Sequence, residues 1–356
     1  MALPFIKKDS RKKRDQMLAV DLGARSTKAV LLQRRGNGFV LNNYAILDTP
    51  IFEKNISEDL LTEHLCAIVQ TMQVKGKPVA LTVGVEDALV RQVEMPTMPP
   101  EDIRLILKNN PRVYLQQDLT GYVFDSYSGN ANGSQKNAAA AKDAQTKSTV
   151  LVAGVKSQII ANYVGAAKKA GLIPDHIIPS ILGPVNAFEL AMPEIFSGQT
   201  AALVDIGFRS SSISILQEGQ LVLNRVVSIG GDRLTSGLSE AMNIAYAEAE
   251  GIKVGMPTEV EAQLEVLISP LARELRASID FFEHQHERTL SEIYVSGRSS
   301  RSDFIVQALR REIGIELKTW NPLAGIQLAL SPAQSAEIEQ VAPLLSVAVG
   351  AALTAI

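Results

Sequence analysis

Cysteine is almost missing from this chain. Cys66 is the single thiol in 356 residues, which excludes an internal disulfide and a cysteine-only metal site and fits a reducing compartment. Histidine is nearly as sparse, with His64, His176, His284 and His286 scattered along the sequence. Only the last two are near each other, and two positions apart on a helix they point to different faces, so neither a metal site nor a hydrolytic triad is expected. Neither sign of charge prevails: a net charge of −3 argues against a general nucleic-acid binder. The uncharged stretch 341–356 falls short of the roughly 20 residues of a membrane span and reads as a buried final helix begun near Pro343. A secretory leader is not expected. The start, MALPFIKKDSRKKRDQ, places its charge after an apolar hexad, and no longer apolar run follows. That basic run reads either as a solvated tail or as a contact with an anionic membrane face or a partner, each cation contributing about 1 kcal/mol near such a surface.

What is present is an ordinary globular composition, 46% hydrophobic and 21% charged, on a chain long enough for two or more domains. Its main feature is a repeated pattern. Residues 19–33 read AVDLGARSTKAVLLQ and residues 203–217 read LVDIGFRSSSISILQ. Asp21 matches Asp205, Gly23 matches Gly207, Arg25 matches Arg209, Ser26 matches Ser210, and Leu32 and Gln33 match Leu216 and Gln217. Each copy is strand, glycine turn, strand. One such turn is an ordinary hairpin; two in the same alignment suggest related halves that offer their turns to a shared cleft. Glycine lets backbone N–H groups approach and encircle an anion. Serine and threonine hydroxyls add donors, and Lys28 adds a point charge suited to phosphate. Asp21 and Asp205 repel phosphate and make sense with a hard cation between, since Mg²⁺ is held by one or two carboxylates together with water and phosphate oxygens.

Between and beyond the copies, Asn37-Gly38 signals a hairpin. Residues 57–72 read as a helix capped by Ser57, with Leu60, Leu61, Leu65, Ile68, Val69 and Met72 on one face. Strands at 79–85 and 89–94, a helix at 101–109, strands at 121–127 and 149–155 and a helix at 156–171 suggest a small inserted α+β unit, with 129–148 a mobile loop. Downstream, Gly230-Gly231-Asp232 opens a helix whose first N–H groups could face an anion. A long helix runs over 258–283, and a strand at 293–296 ends at Gly297.

The order of Asp-x-Gly-x-x-Ser-x-Lys at 21–28, Asp205-Ile206-Gly207, Gly230-Gly231-Asp232 and Ser296-Gly297 resembles the actin/Hsp70 ATPase superfamily. Within it the chain is similar to the PilM family of type IV pilus assembly. Residues 2–8, Val93-Glu94-Met95-Pro96, Pro100-Glu101-Asp102-Ile103, Ala170-Gly171-Leu172 and LARELRASIDFF at 271–282 carry that likeness. The resemblance implies an α/β, actin-like fold: a duplicated, ribonuclease H-like pair of lobes with an inserted α+β subdomain. The implied organisation is a basic tail at 1–16; a first actin-like subdomain at 17–78, completed by 179–199 and 341–356; an insert at 79–178; a second actin-like subdomain at 200–240 and 290–340; and a helical subdomain at 241–289. It implies ATP and Mg²⁺ as ligands. Asp21, Gly23, Ser26 and Lys28 would form the first phosphate loop, and Asp205, Gly207, Ser210 and Ser211 the second. Asp21 and Asp205 would hold Mg²⁺ through water, Glu250 and Lys253 would meet the ribose and base, and Gly230, Gly231, Gly297 and Arg298 would line the adenosine side. The implied partners are the cytoplasmic N-terminus of a PilN-like inner-membrane protein, taken up beside the insert, and other pilus assembly proteins. Self-association is also implied, as is a place at the cytoplasmic face of the inner membrane, reached through the partner.

The chain departs from the pattern at Arg25, Phe208 and Arg209, which are bulky where such turns carry small residues, and at Arg298, where a second glycine is expected. The arginines either obstruct the site or contact phosphate. With no base apparent to position a water, ATP binding is expected and hydrolysis is expected to be weak or absent. Two other readings stand: an FtsA-like polymerising membrane tether of cell division, disfavoured by a C-terminus without a basic face, and a scaffold that has lost nucleotide binding. A sugar-kinase reading lacks its catalytic aspartate.

Overall fold

The computed structural model describes residues 14–51, 56–128 and 147–356. The basic run up to Lys13, the resemblance at residues 2–8 and most of the expected 129–148 loop lie outside the described residues. From Gln16 onward apolar side chains fill both faces of the first strand, and its five central residues are buried, as a strand in mid-sheet requires. Strands β1 (Gln16–Leu22), β2 (Ser26–Arg35) and β3 (Gly38–Asp48) form an antiparallel meander. The β2–β3 turn is Gly36-Asn37 rather than the Asn37-Gly38 read from sequence, because Arg35 pairs with Gly38 and Gly36 takes the positive φ of 62°. Helix α1 (Glu58–Met72) starts where Ser57 accepts the N–H of Leu60, as its capping position predicts, and leads to β4 (Pro78–Val83), parallel to β1.

After β4 the chain builds β5 (Ala88–Pro96), α2 (Pro100–Asn109), α3 (Pro111–Leu115), β6 (Tyr122–Ser128) and β7 (Lys147–Lys156). These strands make a separate antiparallel sheet in the order β5-β7-β6, packed around Met95, Ile103, Leu107 and Phe124. Helix α4 (Ser157–Lys169) returns to β8 (Ile173–Pro179), parallel to β4. Helices α5 (Leu182–Ala191) and α6 (Pro193–Gly198) lead into a second meander, β9 (Thr200–Ile206), β10 (Ser211–Gln217) and β11 (Gln220–Val227). Helices α7 (Gly231–Met242), α8 (Tyr246–Gly255) and α9 (Glu261–His286) precede β12 (Glu292–Ser296), and α10 (Asp303–Ile313) precedes β13 (Glu316–Thr319). Strand β14 (Ile326–Leu328) and helices α11 (Pro332–Val341) and α12 (Ser346–Ala355) follow.

The two large sheets repeat one plan. One runs β14-β3-β2-β1-β4-β8 and the other β11-β10-β9-β12-β13, so each places an antiparallel meander beside two parallel strands. The repeat extends to register. Asp21 faces Lys28 and Gln16 faces Gln33 in the first hairpin, while Asp205 faces Ser212 and Thr200 faces Gln217 in the second. Even the irregularity recurs, between Leu31 and Leu32 in one copy and between Ile215 and Leu216 in the other. Two cores result: one around Met17, Leu32, Leu65 and Phe188, which also takes in Leu203, Leu216 and Tyr294 from one face of the second sheet, and one around Ile213, Leu264 and Phe282 on the other face of that sheet.

The insert differs from the expected 79–178. Strands β4 and β8 belong to the first large sheet, so the separate unit is confined to β5 through β7. A run of apolar β residues looks alike in either sheet, and only the parallel pairing of β4 with β1 decides between them. Similarly, β14 pairs with β3, and Gln334 at the start of α11 donates to Asn43 and to the carbonyl of Tyr44; this places 326–340 on the first lobe, not the second. The segment Pro332–Ala355 is long and apolar enough to cross a membrane, with a mean hydropathy of 1.5 over its apolar window, yet 67% of that window is buried in the fold. Its last part, α12, is apolar all round and packs in the core against α5. The approach is so close that a Cβ on Gly350 would stand 1.8 Å from the carbonyl oxygen of Gly183.

Candidate functional site

The first turn follows directly from its hairpin register. Asp21 ends β1 opposite Lys28, and the ammonium lies 3.2 Å from Asp21 Oδ2. Thr82, at the end of β4, donates to Asp21 Oδ1 at 3.0 Å. The turn between them is tied down by Thr49, whose hydroxyl donates to the Gly23 carbonyl at 2.6 Å and whose N–H donates to the Arg25 carbonyl at 3.0 Å. A buried chain continues inward from Thr49 to Thr27 (3.0 Å) and on to His64 Nε2 on α1 (2.7 Å). Burial holds the His64 imidazole below its usual range, so the ring is neutral at pH 7. Ser26 is buried beside this chain.

The second turn has the same backbone and different chemistry. Gly207 N–H closes it on the Ser210 carbonyl at 3.1 Å. Asp205 Oδ1 accepts the hydroxyl of Ser296 at 2.7 Å and that of Ser346 at 3.4 Å. Burial pushes its carboxyl upward and the charge of Asp21 adds to this, while the hydroxyls and Lys28 offset part of it. Ser296 is the last residue of β12 and Thr82 the last but one of β4, so each aspartate receives a hydroxyl from the neighbouring parallel strand. Gly297 follows with φ 88°, and a Cβ there would come within 2.5 Å of the Ile206 carbonyl oxygen, which only glycine avoids.

The two turns face each other across a cavity of about 200 Å³. Asp21, Gly23, Arg25, Ser26 and Lys28 line it from one lobe, and Asp205, Gly207, Phe208, Arg209, Ser210, Ser212, Gly297 and Arg298 from the other. A second cavity of about 190 Å³ opens beside it, lined by Gly231, Glu250, Lys253, Ser299 and Arg301. Gly207, Phe208 and Arg298 border both. Thus Asp21, Gly23, Ser26, Lys28, Asp205, Gly207, Ser210, Gly297 and Arg298 come together at the first cavity, and Gly231, Glu250 and Lys253 at the second.

Some expectations are corrected. Ser211 does not line the cavity: its hydroxyl donates inward to the Ile229 carbonyl at 2.7 Å, and Ser212, one residue on and therefore on the opposite face, takes its place. Gly230 lines neither cavity. The first N–H groups of α7 do not face an anion, because Gly231 N–H donates to the Gly207 carbonyl and Asp232 N–H to the Phe208 carbonyl, both at 2.9 Å. Glu250 and Lys253 are joined to each other at 2.6 Å, and the ammonium also donates to Thr235 Oγ1 at 2.6 Å and to the Gly231 carbonyl at 3.2 Å. Burial pushes Lys253 down. The same burial would raise Glu250, but its bonds from Lys253 and Thr235 prevail and hold it low.

Sequence reading missed Glu86, Asp87 and Tyr163, which line the first cavity behind the turns. Burial raises the carboxyl of Asp87, with Lys156 opposing, and raises the Tyr163 phenol. The available signal was an apolar strand running into Gly84, the same strand-to-glycine step that marked Gly297. Among the described residues no three histidine, cysteine or acidic side chains converge as a metal cluster.

Two lobes of one topology, each presenting an Asp-x-Gly hairpin to the cleft between them, define an actin-like protein. The chain belongs to the family of type IV pilus assembly protein PilM, whose model matches residues 134–356, more than half of the chain. Among solved structures it is similar to a PilM–PilN type IV pilus biogenesis complex, with a TM-score of 0.81 at 20% identity over 96% of this chain and 98% of that one. It shares its fold with MreB5 of Spiroplasma citri bound to ADP (TM-score 0.55, 11% identity, 95% of each chain). It likewise resembles the ethanolamine utilization protein EutJ of Carboxydothermus hydrogenoformans (TM-score 0.55, 14% identity, 96% and 91%). By sequence it is 31% identical to cell division protein FtsA of Bacillus subtilis (strain 168) over 103 residues, a match covering 29% of this chain and only 22% of FtsA.

Proposed function

We propose that this protein is a cytoplasmic scaffold of a type IV pilus assembly machine, binding Mg-ATP between its lobes and docking the cytoplasmic N-terminus of a PilN-like inner-membrane protein. The observation that carries the reading is the near full-length likeness to a PilM–PilN complex, added to family membership. The cleft fits the nucleotide part. Asp205 is a recessed carboxylate that accepts hydroxyls, and its carboxyl is driven upward by burial, the condition a nearby cation would relieve. In this reading Asp21 and Asp205 hold Mg²⁺ through water, Lys28 and the arginines face phosphate oxygens, and Ser210 and Ser212 add donors. Bound Mg²⁺ neutralises phosphate charge. Glu86 and Asp87 are the carboxylates left near the cleft to orient a water, and turnover is expected to be slow. Association with the membrane face comes through the partner.

The test is titration of a synthetic peptide, copying the cytoplasmic N-terminus of the PilN-like protein encoded with this chain, into the full-length protein. Saturable binding that a scrambled peptide lacks is the expected result, and no binding removes the docking role. The partial FtsA match favours a second reading, a polymerising tether. The match spans only 29% of this chain and 22% of FtsA, which leaves that reading second. Nucleotide-dependent filaments in sedimentation would restore it.

A further inference from the structure

The Arg25 guanidinium lies over the Phe208 ring, 5.3 Å from its centre, and the two residues come from the turns of opposite lobes. This contact is not a product of the duplication. The counterpart of Arg25 is Arg209, and the counterpart of Phe208 is Ala24. Both backbones are anchored within their own lobes. The Arg25 carbonyl is held by Thr49 N–H at 3.0 Å, and the Phe208 carbonyl by Asp232 N–H at 2.9 Å. Between these two turn residues only the side chains meet, and any separation of the turns must part them; the lobes are also tied at Ser346 to Asp205 and at Gly297 N–H to the Pro343 carbonyl. Among the described residues no carboxylate stands within ion-pair distance of Arg25; its charge is felt at longer range by Glu250, which it helps to hold low, and its one direct side-chain contact across the cleft is the ring. Phe208 borders both cavities, and the pair stands at the passage between them.

We propose that Arg25 and Phe208 form a clasp holding the two lobes together, which a polyphosphate opens by drawing Arg25 from the ring. The guanidinium then binds phosphate oxygens from the first turn, a partner it matches bidentately and with full charge. The clasp itself is independent of any ligand; its release by polyphosphate rests on the nucleotide reading above. In this arrangement the bulky turn residues regulate the cleft, and neither obstruction nor loss of function explains them.

The test uses the full chain with Phe208→Leu and Arg25→Gln, each first checked for native circular dichroism. Without ligand, amide exchange is followed at Thr49 in the first lobe and Asp232 in the second. Either variant should speed exchange at both by about two- to fivefold, the factor a partly exposed cation–π contact is worth. If Phe208→Leu changes Asp232 alone, the contact is local packing and the clasp is overturned. In the second arm, Mg-ATP and Mg-tripolyphosphate are titrated. Phe208→Leu should tighten both about two- to fivefold, and Arg25→Gln should weaken both about tenfold or more. Equal tightening by the two variants overturns the phosphate role of Arg25. If the parent binds neither probe, the nucleotide reading fails, while the exchange arm still decides the clasp.

Discussion

Asp21 faces Lys28 across its hairpin; Asp205, in the same register of the other lobe, faces Ser212. Each also receives a hydroxyl from the parallel strand beside it, Thr82 in one case and Ser296 in the other. The backbone has thus kept its plan down to the same irregularity in the meander, while one residue has removed the countercharge from one of the two carboxylates. The first aspartate is neutralised within its own lobe. The second is bonded only to hydroxyls, with the charge of Lys28 acting from the other lobe, and burial pushes its carboxyl upward. Architecture is shared between the halves, and the chemistry of the cleft comes from where they diverge.

If the lobes are equivalent in packing, equivalent core truncations should cost alike. Leu32 and Leu216 are matched and fully buried, and both face the larger core that the two sheets share, so Leu32→Ala and Leu216→Ala should each lose about 2–5 kcal/mol in denaturant unfolding. Distinct midpoints for the two lobes would reveal that they unfold separately. The aspartates should then break the symmetry. Asp21→Asn leaves Lys28 recessed without its partner, with a side chain 17% exposed, and should cost about 1–3 kcal/mol, less than a fully buried pair. Asp205→Asn should act in the opposite direction and raise the melting temperature at pH 7. The sign follows from linkage. A folded carboxyl raised above its unfolded value binds more protons than the unfolded chain between the two, so stability falls as pH rises through that window and the penalty persists above it. The gain in Asp205→Asn should accordingly shrink as pH falls below the window.

His64 titrates with the reverse sign. Its folded value is lowered by burial, so its contribution is intact above the unfolded value of about 6.5 and is lost as pH falls below that. Melting profiles between pH 7 and pH 5 should be flatter for His64→Asn than for the parent, with the loosening centred on α1 and the first turn. The second lobe has no such buried histidine and should serve as the control. The smallest effect belongs to the exposed pair Arg276 and Asp280, four apart on α9 at 2.8 Å, where Asp280→Ala should cost no more than about 0.5 kcal/mol.

Much of this was legible in the sequence, for reasons that differ by element. The repeated Asp-x-Gly pattern showed the duplication because a hairpin register is local and fixed by its turn. The Ser57 cap and the apolar stripe of α1 were equally local. The membership of β4 and β8 was not legible, because continuous apolar runs carry no mark of which sheet they join. Three consecutive serines at 210–212 carry no alternation from which to read facing, so by sequence Ser211 belongs to the cleft, whereas in the fold Ser212 does. The bonds that occupy the first N–H groups of α7, and the meeting of Arg25 with Phe208, depend on how distant segments come together.

The proposed nucleotide role requires Asp21 and Asp205 to hold a cation jointly in the cleft. The most direct measurement is calorimetric titration of ATP, with and without Mg²⁺, into the parent and Asp205→Asn proteins. Mg²⁺-dependent binding to the parent is expected, with a loss of at least tenfold in the variant despite its higher melting temperature. Equal affinity in the two proteins, or binding indifferent to Mg²⁺, would contradict it.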